Sequence, residues 1–273
     1  MGVETEIAWT DHTFNPWWGC VRVSPGCEHC YAEGINRRLG TGVAFKAQNR
    51  SKVEVFLDEK ILTQPLRWPR ARRIFPNSMT DWMADFVPDD WIDKIMAVMA
   101  LTPHHTYLPL TKRAARMRGY ISDALGGVEA ERWRLGGPLP TLERTWPLPN
   151  VWLGVSVEDQ ARADERIPLL VDTPASVRWI SAEPLLGPID LGFWPDWVIV
   201  GGESGPGARP FDIAWARSII AQCKAAAVPV FMKQLGAAPI GKDQIHLRDR
   251  KGGEPSEWPE DLRIREYPAQ ERA

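Results

Sequence analysis

The chain lacks any apolar run near the ~18 residues that a membrane-spanning helix needs, so no such span is expected. It also lacks an excess of either charge: 33 basic and 35 acidic residues give a net charge of -2. No overall field therefore marks it as a partner for a polyanion. Internal repeats and low-complexity tracts are absent, which excludes solenoids and disordered tails as the organising scheme. The opening "MGVETEIAWTDH" has neither the basic start nor the apolar stretch of a secretory signal, and Glu6 stands where myristoylation needs Ser or Thr. A cytoplasmic location is expected, in a bacterium or a phage-infected host, with no membrane partner.

Cysteine is scarce, with four in 273 residues, but three of them fall within eleven positions. They lie in "NPWWGCVRVSPGCEHCYAE", from Asn15 to Glu33, spaced C-x6-C-x2-C. In a reducing compartment such a cluster points to metal binding or catalysis before disulfides. Zinc prefers four Cys or His ligands. His12 or His29 would have to complete the set, and His29 sits awkwardly inside the two-residue spacer. No second C-x2-C or H-x3-H pair follows. An iron–sulfur cluster takes one thiolate per iron, so three cysteines would leave one iron open to a small molecule. Gly19, Pro25 and Gly26 suit a loop that wraps closely, and Trp17, Trp18 and Tyr31 would exclude water around it. Cys223, within the helical pattern of Trp215, Ile219 and Ile220, reads as core.

Tryptophan is abundant, at 14 residues, enough to furnish both a core and a pocket for a flat ligand. Short apolar runs at 72–81, 106–113, 151–159, 177–186, 196–205 and 229–236 read as strands buried on both faces. Helical patterns at 87–101, 112–125, 159–173 and 212–227 fill gaps between them. Strand then helix, repeated about six times, argues for parallel βα units. The expected fold class is α/β, either a (β/α) barrel, partial with about six parallel strands, or a doubly wound sheet. Residues 1–236 form the expected barrel domain, with the Cys loop at 20–30 and a Gly/Pro-rich inserted loop at 126–149. Residues 237–273 form a C-terminal extension, expected as a turn with short strands near Lys251–Glu254 and a peripheral tail.

Each run ends in hydrogen-bonding residues: Asn77, Ser78, Thr80 and Asp81; Thr111 and Lys112; Ser156, Glu158 and Asp159. The later three end in Ser181 and Glu183, Glu203 and Ser204, and Lys233 and Gln234. Such residues serve helix caps at any strand exit. In parallel α/β folds, however, ligand groups gather at the C-terminal strand ends, and six such ends would ring a functional rim. A divalent ion held by Asp81, Glu158, Glu183 and Glu203 for hydrolysis is one reading of that rim. It leaves the cysteines unexplained.

The segment "NPWWGC…GCEHCYAE" resembles the cysteine loop of radical SAM enzymes, in the branch that contains spore photoproduct lyase. The whole chain also resembles a family common in phages and prophages, in which "NSMTD", "LTKR", "GVSVED", "SAEPLLGPI", "VIVGGESGPGARP" and "KQLG" recur in order. The first spacing differs from the superfamily's C-x3-C-x2-C. The sole "GGE", Gly201 to Glu203, follows a late strand, so the methionine-binding role of that motif is not carried onto it. The resemblance implies a [4Fe-4S] cluster on Cys20, Cys27 and Cys30, S-adenosylmethionine at the fourth iron, and an external one-electron reductant. Judged by their place at the strand ends, Ser156 and Glu158 are expected to hold the cofactor, with Asn77, Thr80 and Asp81 lining the same side and Tyr31 beside the cysteines. Lys112, Glu183, Glu203 and Lys233 are the expected catalytic or substrate-contacting set. The basic stretches "RWPRARR" (67–73) and "KRAARMR" (112–118) point to a nucleobase, nucleotide or modified DNA as substrate. The alternative is a zinc- or cluster-stabilised nucleic-acid-binding protein without turnover.

Overall fold

The computed structural model describes residues 5–137, 142–242 and 245–269. The chain divides into two compact units, residues 1–154 with 172–177, and residues 155–171 with 178–273. Of the expected segments, residues 138–141 of the 126–149 insert and residues 243–244 and 270–273 of the extension lie outside the described residues. So do residues 1–4 of the expected barrel domain.

The first unit opens with β1 (His12–Phe14), then α1 (Tyr31–Leu39) and the single-turn α2 (Glu59–Leu62). After these come β2 (Arg73–Pro76), α3 (Asp89–Ala100), β3 (Thr106–Tyr107) and β4 (Leu110–Thr111). The unit continues through α4 (Ala114–Asp123) and α5 (Leu125–Arg134) into β5 (Trp152–Ser156), whose last two residues belong to the second unit. β1, β2 and β3 form a parallel sheet in that order, with His12 opposite Ile74 and Arg73 opposite Thr106. The helix α3 exists because Ile92, Ile95, Met96 and Met99 recur at helical spacing and bury one stripe, after two acids in the first turn.

The expected run 106–113 is two strands, because Pro109 has no N–H to give a ladder. The expected insert is not wholly a loop. Residues 125–134 are helical and bury Val128, Glu131 and Arg132. Gly127 is what lets α5 lie against α3, since a Cβ there would stand 2.3 Å from Oδ2 of Asp93.

The second unit holds α6 (Gln160–Val171), β6 (Val177–Ala182), β7 (Trp197–Gly201) and β8 (Phe211–Asp212). It ends with α7 (Ile213–Ala225), β9 (Val230–Gln234) and β10 (Pro239–Ile240). A five-stranded sheet runs β4-β5-β6-β7-β9, with Trp179 opposite Trp197 and Val198 opposite Val230, both pairings parallel. Every residue of β5 and β7 is buried, which is why these strands read as unbroken apolar runs.

The segment 251–254 is not strand, and the tail is not peripheral. Met232 N–H donates to Ile264 O at 2.8 Å and Glu266 N–H to Val230 O at 3.0 Å. Residues 264–266 thus satisfy the free edge of β9, an edge that would otherwise template aggregation. Trp258 and Leu262 are buried beneath that segment's start. The fold is mixed α/β with parallel sheets, and no helix of the described residues is long and apolar enough to cross a membrane.

Candidate metal centre and strand-end polar groups

In the first unit the cysteine loop leaves β1 at Asn15 and returns at Cys30, the residue that precedes the first turn of α1. Four contacts tie it and Tyr31 to the exit loop of β2. Asn15 accepts from Met79 N–H at 2.8 Å and meets Ser78 Oγ at 3.3 Å. The Tyr31 hydroxyl donates to Ser78 O at 2.5 Å, and the Thr80 hydroxyl donates to Gly19 O. Gly19 has φ +114°, a conformation that side chains rarely adopt, and a Cβ there would sit 3.1 Å from Val55. Gly19→Ala is expected to cost about 1–3 kcal/mol through backbone strain. A urea melt with an unchanged midpoint would contradict that.

Cys20, Cys27 and Cys30 are all half-buried on this loop. Cys20 and Cys30 pack with Trp18 and Ile35 against Ala32, Phe45 and Met79. Burial, then the Asp81 carboxylate, pushes the Cys20 thiol up to about 12, with Arg113 working against them. Burial also raises Cys30, opposed by the N–H groups of Glu33 and Ala32 at the start of α1 and by Lys112. The net direction for both thiols is upward, so these N–H groups and the cation offset burial only in part.

Further cations surround the loop. Arg22 holds the buried Glu33 through contacts of 2.7 and 2.8 Å, and Arg37 adds a third at 2.6 Å. Burial alone would raise the Glu33 carboxyl, but these partners and the Phe45 N–H hold it below its usual value. Among the described residues no three His, Cys, Asp or Glu side chains are arranged to hold a metal ion. Three cysteine thiols on one loop are donors of the kind that a zinc ion or an iron–sulfur cluster takes.

Asp81 is fully engaged rather than open. Its two oxygens accept from Thr111 Oγ1 at 2.6 Å, Lys112 N at 2.9 Å, Met83 N at 3.0 Å and Arg113 Nη1 at 2.9 Å. It organises the loop and carries Arg113, which also donates to Val21 O at 3.2 Å. Asn77 is different. It is 2% exposed with φ 56°, and neither its amide nitrogen nor its amide oxygen has a partner. A buried amide left so is costly unless a ligand pairs with it.

The strand-end groups of the second unit form pairs. Glu158, 0% exposed, meets the buried Arg166 at 3.1 Å, and Arg166 also donates to the backbone oxygen of Ser156 at 2.9 Å. Their placement is structural, because Glu158 offers no surface to a ligand. Glu183 and Lys233 make a contact of 2.5 Å with both partly exposed. Glu203 is clasped by Arg209 through its N at 2.9 Å, Nε at 3.0 Å and Nη2 at 2.6 Å. Each of the four acids considered for a divalent ion therefore has its own cation. Sequence reasoning named Lys233 but did not single out Arg113, Arg166 or Arg209, although Arg113 stands beside Lys112 and Arg166 lies eight residues after Glu158.

The basic stretch at 112–118 is neutralised: Arg113 pairs with Asp81, Arg116 with Asp89 at 2.7 Å and Arg118 with Asp172 at 3.5 Å. In the stretch at 67–73, Arg67 and Arg70 are exposed and Arg72 lies over Trp68 at 5.1 Å.

Fold and site together define a parallel α/β protein with a three-cysteine loop at the end of its first strand. The chain belongs to the family described as "Protein of unknown function (DUF5131)", which matches residues 4–257. No curated protein and no solved structure matches the chain.

Proposed function

We propose that the protein is a radical SAM-type enzyme in which Cys20, Cys27 and Cys30 bind a [4Fe-4S] cluster and S-adenosylmethionine takes the fourth iron. The observation that carries this reading is three half-buried thiols on one short loop, spaced C-x6-C-x2-C, with Cys20 and Cys30 packed against the same cluster of Ala32, Phe45 and Met79. Once reduced by an external one-electron donor, the bound cofactors would supply a 5′-deoxyadenosyl radical; the protein supplies placement and dryness.

Asn77 offers one donor and one acceptor with no internal partner, as a polar cosubstrate requires. Tyr31, half exposed with its hydroxyl anchored on Ser78 O, shields the loop and positions the β2 exit. Lys112 beside Cys30 offsets the negative charge that three thiolates bring. Glu183 and Lys233 meet at 2.5 Å at partly exposed positions, and we assign them to proton transfer. Glu203, clasped by Arg209, and Asp81, with Thr80, act as positioning groups.

The partial (β/α) barrel is part of this proposal. The strand orders β1-β2-β3 and β4-β5-β6-β7-β9 keep increasing along the chain. Doubly wound sheets reverse at a switch point, whereas barrels add strands in sequence. A nucleobase, a nucleotide or modified DNA is the proposed substrate class, supported by the exposed arginines around Trp68. The test is an oxygen-free assay of reconstituted protein with dithionite and S-adenosylmethionine. The expected product is 5′-deoxyadenosine, and its absence from cluster-loaded protein contradicts the proposal.

A further inference from the structure

A cavity of about 390 Å³ opens beside Cys20 in the first unit, within the ~300–1,000 Å³ range of small-ligand sites. Its aromatic walls come from Trp17, Trp18, Phe45 and Phe56, and Arg50 lines the same space. Cys20 borders it, but Asn77, Asp81 and Lys112 do not. It is therefore separate from the strand-end groups assigned above.

The indole N–H of Trp17 and the Nε–H of Arg50 have no acceptor within the protein, and both atoms lie beneath the cavity surface rather than open to it. Trp17 is 1% exposed, so water does not routinely satisfy its N–H. Arg50 spends one terminal nitrogen on Val53 O at 2.7 Å and lies over the Phe86 ring at 4.2 Å. Lys46 lines the cavity with Arg50, and the carboxylates Glu54 and Asp58 line it too, though neither forms an ion pair with Arg50. Flat walls with two cations on the lining set what fits. The occupant has a planar face, acceptor atoms at its edge and a negative charge.

We infer that this cavity binds a mononucleotide unit, the heterocycle between the aromatic side chains and the phosphate at Arg50. The site itself does not depend on the cluster; only its use as a substrate site rests on the function proposed above. A nucleotide unit can come as a free mononucleotide or as the end of a single strand, and both carry the same recognised chemistry.

The test uses the full chain without iron, so that a failure of cluster chemistry cannot disguise the result. Calorimetric titration with deoxyadenosine monophosphate, deoxyadenosine and inorganic phosphate measures each part separately. The monophosphate is expected to bind at least tenfold tighter than either fragment. Arg50→Gln should erase that advantage. Phe56→Ala, at a residue 66% exposed and so safe for folding, should weaken all heterocycle binding severalfold. The Trp17 indole N–H signal, assigned by its loss in Trp17→Phe, should shift on binding. A parallel titration with a short single-stranded oligonucleotide decides the source, since tighter binding than the free monophosphate assigns the strand end. No binding by any probe overturns the inference, as does binding that Arg50→Gln and Phe56→Ala both leave unchanged.

Discussion

Alanine at Cys20, Cys27 or Cys30 is expected to lower iron retained after anaerobic reconstitution by at least tenfold, while Cys223→Ala retains it. The difference follows from location. The first three thiols lie half-buried on a single loop at the end of β1. Cys223 is fully buried in α7 among Ile219 and Ile220, away from that loop in sequence and in the other unit. A four-iron cluster already short of one protein ligand tolerates the loss of another poorly. Colorimetric iron on the four variants reads this directly. Equal loss in Cys223→Ala would mean that the loop is not the binding site.

The second large effect belongs to stability. Arg166→Leu is expected to destabilise the protein by about 3–5 kcal/mol, because it strands the fully buried Glu158 carboxylate without its cation. The backbone oxygen of Ser156 loses its donor at the same time. The double variant Glu158→Leu with Arg166→Leu removes both charges, and apolar replacement of a buried pair is often near neutral. It should recover more than half of the loss. Urea midpoints of the three proteins decide the matter. A double variant less stable than Arg166→Leu would show that the pair itself, rather than the abandoned charge, holds that region.

The strands were legible because a parallel strand buried on both faces is apolar at every position. All of 152–156 and 197–201 are buried, and no helix period competes there. β1 escaped notice because "HTF" is three residues long and only its last is buried. α1 was hidden behind the cysteine motif, whose turn residues promised loop, and α5 behind Gly126 and Gly127. The cover of β9 by residues 264–266 is a contact across more than thirty residues, invisible to local periodicity. The site divides in the same way. Cysteine spacing is a local signal and was readable. The Asp81–Arg113 and Glu183–Lys233 partnerships span 32 and 50 residues, and nothing local announces them. The unpartnered state of the Asn77 amide and of the Arg50 Nε–H appears only once the fold has closed around them.

Iron and acid-labile sulfide, quantified per chain on protein purified and reconstituted without oxygen, test the central claim most directly. The account predicts about four irons with about four sulfides, as a [4Fe-4S] cluster requires. A single zinc per chain, or iron without sulfide, would contradict it.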